Sequence, residues 1–177
     1  MKLFLKILIV VVILIIAFFI VKITGEDEVK LEVASFDECE QAGNAVMESY
    51  PRRCRDESGN EFVEDIGNEL EKMDLIRSDY PRPNQIVSNP LIISGEARGY
   101  WFFEGDFPVK LVDENGVVLA EGYVTAKSDS MVEEFVQYEG SISFDAGVSK
   151  KGELILMRDN PSGLSENDDQ LIVPVKF

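Results

Sequence analysis

With 177 residues, of which 17 are basic and 33 acidic, the chain has room for one ordinary domain plus extensions and carries a net charge of −16. That charge repels phosphate backbones, which argues against nucleic acid as a partner. There is no histidine, so Ser-His-Asp and Cys-His catalysis are excluded and the commonest metal ligand is missing. No P-loop, G-x-G-x-x-G, G-x-S-x-G or S-x-x-K pattern takes their place.

The first element is the run LFLKILIVVVILIIAFFIVKI, from Leu3 to Ile23. At 1.5 Å per residue a helix of this length spans about 30 Å, the hydrocarbon thickness of a bilayer. Lys6 and Lys22 lie near its ends, where long side chains snorkel to the interface. Lys2 and Lys6 stand before or early in the run and Glu26, Asp27 and Glu28 follow it. Positive charge stays cytoplasmic, so the N-terminus is expected inside and the bulk of the chain outside. The competing reading is a cleaved signal peptide, which has a shorter apolar region and a small-residue cleavage site. The run ends VKITGE, without such a site, and no cysteine follows as a lipoprotein would require. Residues 1–25 are therefore read as a transmembrane signal anchor, with the membrane as partner through residues 3–23. The remainder carries 14 basic and 33 acidic groups, a net charge of 14 − 33 = −19.

Residues 26–84 read as a connecting region. Residues 26–36 are an acidic stalk, and 35–65 form a compact segment with both cysteines, Cys39 and Cys54. An oxidising compartment favours a disulfide between them, and closing such a loop contributes about 3 kcal/mol. Two thiols without histidine make a poor zinc site. The pattern C-x3-GN-x-VMESYP-x2-C-x4-G-x2-F-V is similar to a short cysteine motif of bacterial surface proteins, and faintly to the end of a Kazal inhibitor. Kazal domains need six cysteines. Ile66, Leu70, Met73 and Ile76 then recur at helical spacing, followed by Pro81 and Pro83. That predicts a short helix and a stiff proline linker.

From about Ile86 to Phe177 the pattern turns to period two. Ile93, Gly95, Ala97, Gly99, Trp101 and Phe103 alternate with Ser94, Glu96, Arg98, Tyr100 and Phe102. Phe107, Val109 and Leu111 continue an inward face, and Asp113-Glu114-Asn115-Gly116 reads as a hairpin turn. Runs at Val117–Thr125, Val132–Phe144, Glu153–Met157 and Leu171–Phe177 follow. The expected fold is all-β: an immunoglobulin-like β-sandwich of about seven strands over residues 85–177. Pro174 is expected at an edge position, since it cannot donate to a ladder.

The stretches ARGYWFFEGDFPVKLVDENG (97–116), FVQYEGSISF (135–144) and RDNPSGLSENDDQLIVPVKF (158–177) resemble the Gmad2 immunoglobulin-like domain of bacteria. The resemblance covers roughly the last 90 residues and is carried most specifically by WFFE and DNPSGL. It implies a fold and a bacterial, extracytoplasmic setting. The family has no established catalytic residues to carry over, and the companion module of spore germination is missing from this chain.

Two constellations remain. In a strand, alternation sends Trp101 and Phe103 to the core and Tyr100 and Phe102 outward beside Arg98. Arg98, Tyr100 and Phe102 are thus the candidate binding surface, because aromatic and Arg side chains dominate hot spots. Acidic turns at Asp113–Asn115 and at Asp159, Asn160, Glu166, Asn167, Asp168 and Asp169 could offer oxygen ligands to calcium, with Asp159, Asp168 and Asp169 the nearest to a set. They lack EF-hand spacing, and turn chemistry explains them without a metal. Neither metal nor cofactor is expected. The function read from the sequence is a non-catalytic binding or structural module of the cell envelope that recognises protein or polysaccharide. The alternative is a small extracytoplasmic hydrolase using paired carboxylates, or an inhibitor using the disulfide loop.

The charge asymmetry around the apolar run makes a topological prediction. Protease added to intact cells, or to spheroplasts where an outer layer shields the chain, should digest it after about residue 25 and leave a membrane-embedded stub. Protection of the C-terminal part until lysis would reverse the assignment.

Overall fold

The computed structural model describes residues 33–177, together with Val12 and Ile15, which are helical. Apart from those two positions, the apolar run at 3–23 lies outside the described residues, as does the stalk up to residue 32. Among the described residues no helix is long and apolar enough to cross a membrane. The chain divides into Met1–Ala34 and Ser35–Phe177, and the second unit holds every described strand.

That unit begins with the two-cysteine segment. Helix α1 (Phe36–Gln41) starts at Ser35, whose Oγ accepts a hydrogen bond from the Glu38 N–H at 3.2 Å, a cap that satisfies one of the helix's free donors. Strands β1 (Ala45–Met47), β2 (Arg53–Arg55) and β3 (Glu61–Val63) follow as an antiparallel sheet with β2 central. So small an element buries little beyond Phe36, Cys39 and Cys54, and needs a covalent staple. It has one: Cys39 of α1 is bonded to Cys54 of β2, with Cα atoms 6.0 Å apart. A second fastening is ionic. The Arg52 guanidinium lies over the Phe36 ring at 4.9 Å and donates to both carboxylate oxygens of Glu64, at 3.0 and 2.8 Å, and to Glu40 at 2.8 Å.

The eight remaining strands form one sheet. They are β4 (Ile76–Tyr80), β5 (Gln85–Ile86), β6 (Leu91–Arg98), β7 (Asp106–Asp113), β8 (Val118–Ala126), β9 (Phe135–Ile142), β10 (Lys151–Met157) and β11 (Gln170–Lys176). Their order is β4-β6-β9-β8-β7-β10-β11-β5, antiparallel except between β11 and β5. Strands β8 and β9 pair only through Val124–Ala126 and Tyr138–Gly140, and at this short ladder the sheet bends over on itself. The two halves then face each other across a single core. Ile76, Leu91, Ile93, Val136 and Tyr138 from one half meet Phe107, Val109, Leu111, Leu154, Leu156, Leu171 and Val173 from the other. The Phe144 and Phe177 rings lie 5.4 Å apart although three strands separate β9 from β11 in the sheet. The inward alternation of β6, β7, β9 and β11 is the one the sequence predicts. So is the turn after β7, where Asp113 Oδ1 accepts from the N–H groups of Asn115 and Val117 at 2.9 and 2.8 Å.

The predicted helix and proline linker are corrected. Only Glu69–Lys72 is helical (α2), and Leu70 and Met73 are exposed. The following residues form β4, so the sandwich starts at Ile76 rather than at 85 and its sheet has eight strands. The misleading signal was the helical spacing of four apolar residues, of which only Ile66 and Ile76 are buried. The true period-two signal of β4 is masked because its second inward position is Ser78, buried with its hydroxyl bonded to the Pro81 carbonyl at 2.8 Å. The two prolines do not join domains. They carry the chain from β4 at one rim of the sheet to β5 at the other. Pro174 lies in β11 beside two-residue β5, and its carbonyl accepts from the Asn84 N–H at 2.7 Å. Its missing N–H points to the same side, away from the full-length β10 ladder.

Three carboxylates tie these parts together, and their pKa values are held below the ordinary range. Asp37 is hydrogen-bonded to Lys151, with Lys176 at 3.4 Å; Glu64 is bonded to Arg52; Asp113 accepts the Val117 and Asn115 N–H groups. A lowered folded pKa means that the unfolded chain binds protons first as acid is added. The stability these groups contribute is therefore complete at neutral pH and is lost as pH falls through their folded values. With no histidine to titrate, the melting temperature of the full chain should be flat from about pH 5 to 8 and fall below about pH 4. Asp37→Asn should lower the plateau and flatten the acid limb, whereas an unchanged limb would remove Asp37 from this account.

Candidate binding groove

The β6–β7 and β8–β9 connections meet at one end of the sandwich, and glycine allows their close approach. A side chain at Gly99 would place its Cβ 1.9 Å from the Val132 carbonyl oxygen and 2.4 Å from that of Ser130. Without one, Gly99 donates its N–H to Glu134 O at 3.1 Å and the two loops lie against each other. Residues Gly99–Trp101 form a 3-10 turn. The fully buried Trp101 anchors it, its carbonyl accepting from the Asp159 N–H at 3.0 Å and so drawing in the β10–β11 loop. Phe103 and Asp106 then exchange backbone hydrogen bonds around Glu104 and Gly105, both at positive φ (52° and 89°), the geometry of a two-residue hairpin turn.

Between the loops lies an open groove of about 830 Å³, lined from one side by Tyr100, Phe102, Phe103 and Glu104 and from the other by Asp129, Met131, Val132 and Glu133. Its lining is mostly apolar. Tyr100 and Phe103 are each 46% exposed and Met131 is 94% exposed, although these are residue types that folding usually covers. Asp129 Oδ1 accepts the Met131 N–H at 2.9 Å and fixes the loop's turn. The groove opens at the opposite end of β10 from Lys151, the residue that α1 reaches through Asp37.

The candidate surface read from the sequence is placed only in part. Tyr100 is exposed as expected and Trp101 is in the core, but Phe102 and Phe103 have exchanged roles. Phe102 is 8% exposed, its ring 5.1 Å from Phe107, which in turn lies 5.0 Å from Tyr138 in a second edge-on contact. The strand ends at Arg98, and the 3-10 turn replaces alternation by a repeat of three. Tyr100 and Phe103 consequently share the outer side. Arg98 is committed within the fold: its guanidinium lies over Phe135 at 4.1 Å and donates to the carbonyls of Asp74 and Glu133 at 3.0 and 3.4 Å. Arg158 sits 5.6 Å from the Tyr100 ring and donates to the Tyr100 carbonyl at 3.3 Å. Sequence reasoning missed Phe103 as a surface group, and with it Met131 and Val132. The stretch KSDSMVEEF carried a signal, since two apolar residues stand there inside an acidic and serine-rich loop.

The calcium candidates do not converge. Asp168 accepts from the Asn160 amide at 2.7 Å, Asp169 pairs with Lys72 at 2.5 Å, and Asp159 contributes its backbone N–H to Trp101. Among the described residues no three His, Cys, Asp or Glu side chains come together as a cation cage.

The exchange of Phe102 and Phe103 is directly measurable. Phe102→Ala should cost the full chain about 3–5 kcal/mol in denaturant unfolding, and Phe103→Ala or Tyr100→Ala less than about 1 kcal/mol. A Phe103 loss as large as that of Phe102 would restore the strand register.

The family model for the immunoglobulin-like domain of bacterial spore germination, Gmad2, matches residues 75–165. The match starts one residue before β4 and so includes the strand that the sequence pattern disguised. No curated protein and no solved structure matches the chain. Since the matched segment is just over half of the chain and takes in every strand of the bent sheet except β11, the protein belongs to the Gmad2 family of immunoglobulin-like domains.

Proposed function

We propose that this protein is a non-catalytic binding module of the bacterial cell envelope, tethered to the membrane by residues 3–23 with the sandwich outside the cytoplasm. The observation that carries the reading is the end groove. It is built by loops on a rigid two-layer scaffold, where recognition residues are commonly held, and it leaves Tyr100, Phe103 and Met131 open to solvent. A mostly apolar, open concavity rimmed by Glu104, Asp129 and Glu133 suits binding better than chemistry. The tether rests on the length of the apolar run and the charges flanking it. The Cys39–Cys54 bond fits an oxidising compartment.

A photo-crosslinking residue introduced into the chain in intact cells tests the module reading. It would be placed in turn at Met131 in the groove, at Tyr123 on β8 and at Arg53 on the small sheet, all exposed positions. At least one position should yield a defined adduct with an envelope component. Chains that reach the membrane yet give no adduct from any of the three faces would overturn it.

A further inference from the structure

We infer that the groove takes a basic, apolar segment of a partner polypeptide, an inference that rests on the binding-module reading. The argument is charge complementarity over an apolar floor. Glu104, Asp129 and Glu133 line the groove, and no lysine or arginine does. The ion pairs among the described residues engage Glu40, Glu61, Glu64, Glu69, Glu96, Glu121, Glu139, Asp37 and Asp169. None engages the three groove carboxylates. The nearby cations, Arg98 and Arg158, are turned to backbone carbonyls and to the Phe135 and Tyr100 rings.

A ligand for this surface must bring positive charge to the rim and apolar area to Phe103 and Met131. Lysine and arginine do both, since their stems are aliphatic and their heads cationic. The exposed Phe103 ring attracts cations on its face, and flexible Met131 adapts to varied side chains. Anionic lipid and nucleic acid are repelled by the same carboxylates. A polysaccharide would need a denser set of hydrogen-bonding groups than Tyr100, Ser128 and Ser130 provide beside the acids.

The test uses the full chain in detergent micelles and three synthetic peptides of equal length. One alternates lysine and arginine with leucine and phenylalanine; one replaces the basic residues by glutamate; one replaces the apolar residues by serine. The basic, apolar peptide should bind at least about tenfold tighter than either control, and more weakly as salt rises. E104K/D129K/E133K should weaken it by about tenfold or more, while the amide set E104Q/D129N/E133Q should have an intermediate effect. D129N keeps an acceptor for the Met131 N–H, so this set also guards against a loop that has merely lost its turn. The control E48K/E71K/E153K changes net charge equally at exposed sites elsewhere and should leave affinity within about twofold. The inference is overturned if the control weakens binding as much as the groove variant, if the glutamate or serine peptide binds as well, or if a polymer of amino sugars competes better than the peptide. Cellular crosslinks keep the two readings apart. Adducts at Arg53 or Tyr123 with none at Met131 sink this inference and leave the module reading standing, as would a Met131 adduct that proves to be a second copy of the chain. A Met131 adduct whose partner peptide is basic and apolar supports both.

Discussion

The architecture depends on the crossing between Tyr80 and Gln85. A sheet bent at the short β8–β9 ladder would leave its two rims unconnected, but here consecutive segments of chain occupy both rims: β4 on one and β5 on the other. Arg82 holds the crossing, donating to the Ser78 carbonyl at 2.7 Å and pairing with Glu69 at 2.5 Å. Glu69 is buried, so without that guanidinium its charge would be costly to keep out of water. Tyr50 of the two-cysteine segment donates to Glu69 and accepts from Arg82 at 2.9 Å. The same cluster that closes the sandwich therefore also receives the small disulfide-bonded segment, helped by Asn84, whose amide reaches the Asp65 carbonyl at 2.7 Å.

That closure fixes the opposite ends of the strands. At one end α1 contributes Asp37 to Lys151 and Lys176. At the other, the loops after β6 and β8 are held by backbone contacts that depend on Gly99 and by the buried Trp101. The β8–β9 loop can present an apolar residue as open as Met131 because its backbone is tied at Gly99 N–H to Glu134 O and at Lys127 N–H to Gln137 O. Buried side chains do not need to hold it. An apolar residue left exposed on a restrained loop contributes almost no burial to the fold, and a contiguous set of them in a concavity is why the groove carries the functional argument.

Much of the sandwich was legible in the sequence because side chains in a strand alternate with a period of two. The inward residues of β6, β7, β9 and β11 could be read directly from their apolar alternation, as could the Asp113–Gly116 turn from its chemistry. The cysteine pair could be read from compartment and count. Tertiary structure decided the rest, wherever a local pattern was ambiguous or absent. Strand β4 was hidden because Ser78 takes an inward place that a hydroxyl bond to Pro81 makes tolerable, and no local pattern reveals that bond. The Phe102–Phe103 exchange arose because the chain leaves the strand at Gly99, where the approach of a loop some thirty residues later sets the backbone path. The groove itself joins segments 99–105 and 128–133, which the pairing of β6 with β9 and of β7 with β8 brings together. Periodicity is a local property and could be read in advance; the choice of which loops meet is set by which strands pair, a long-range outcome that local periodicity does not carry.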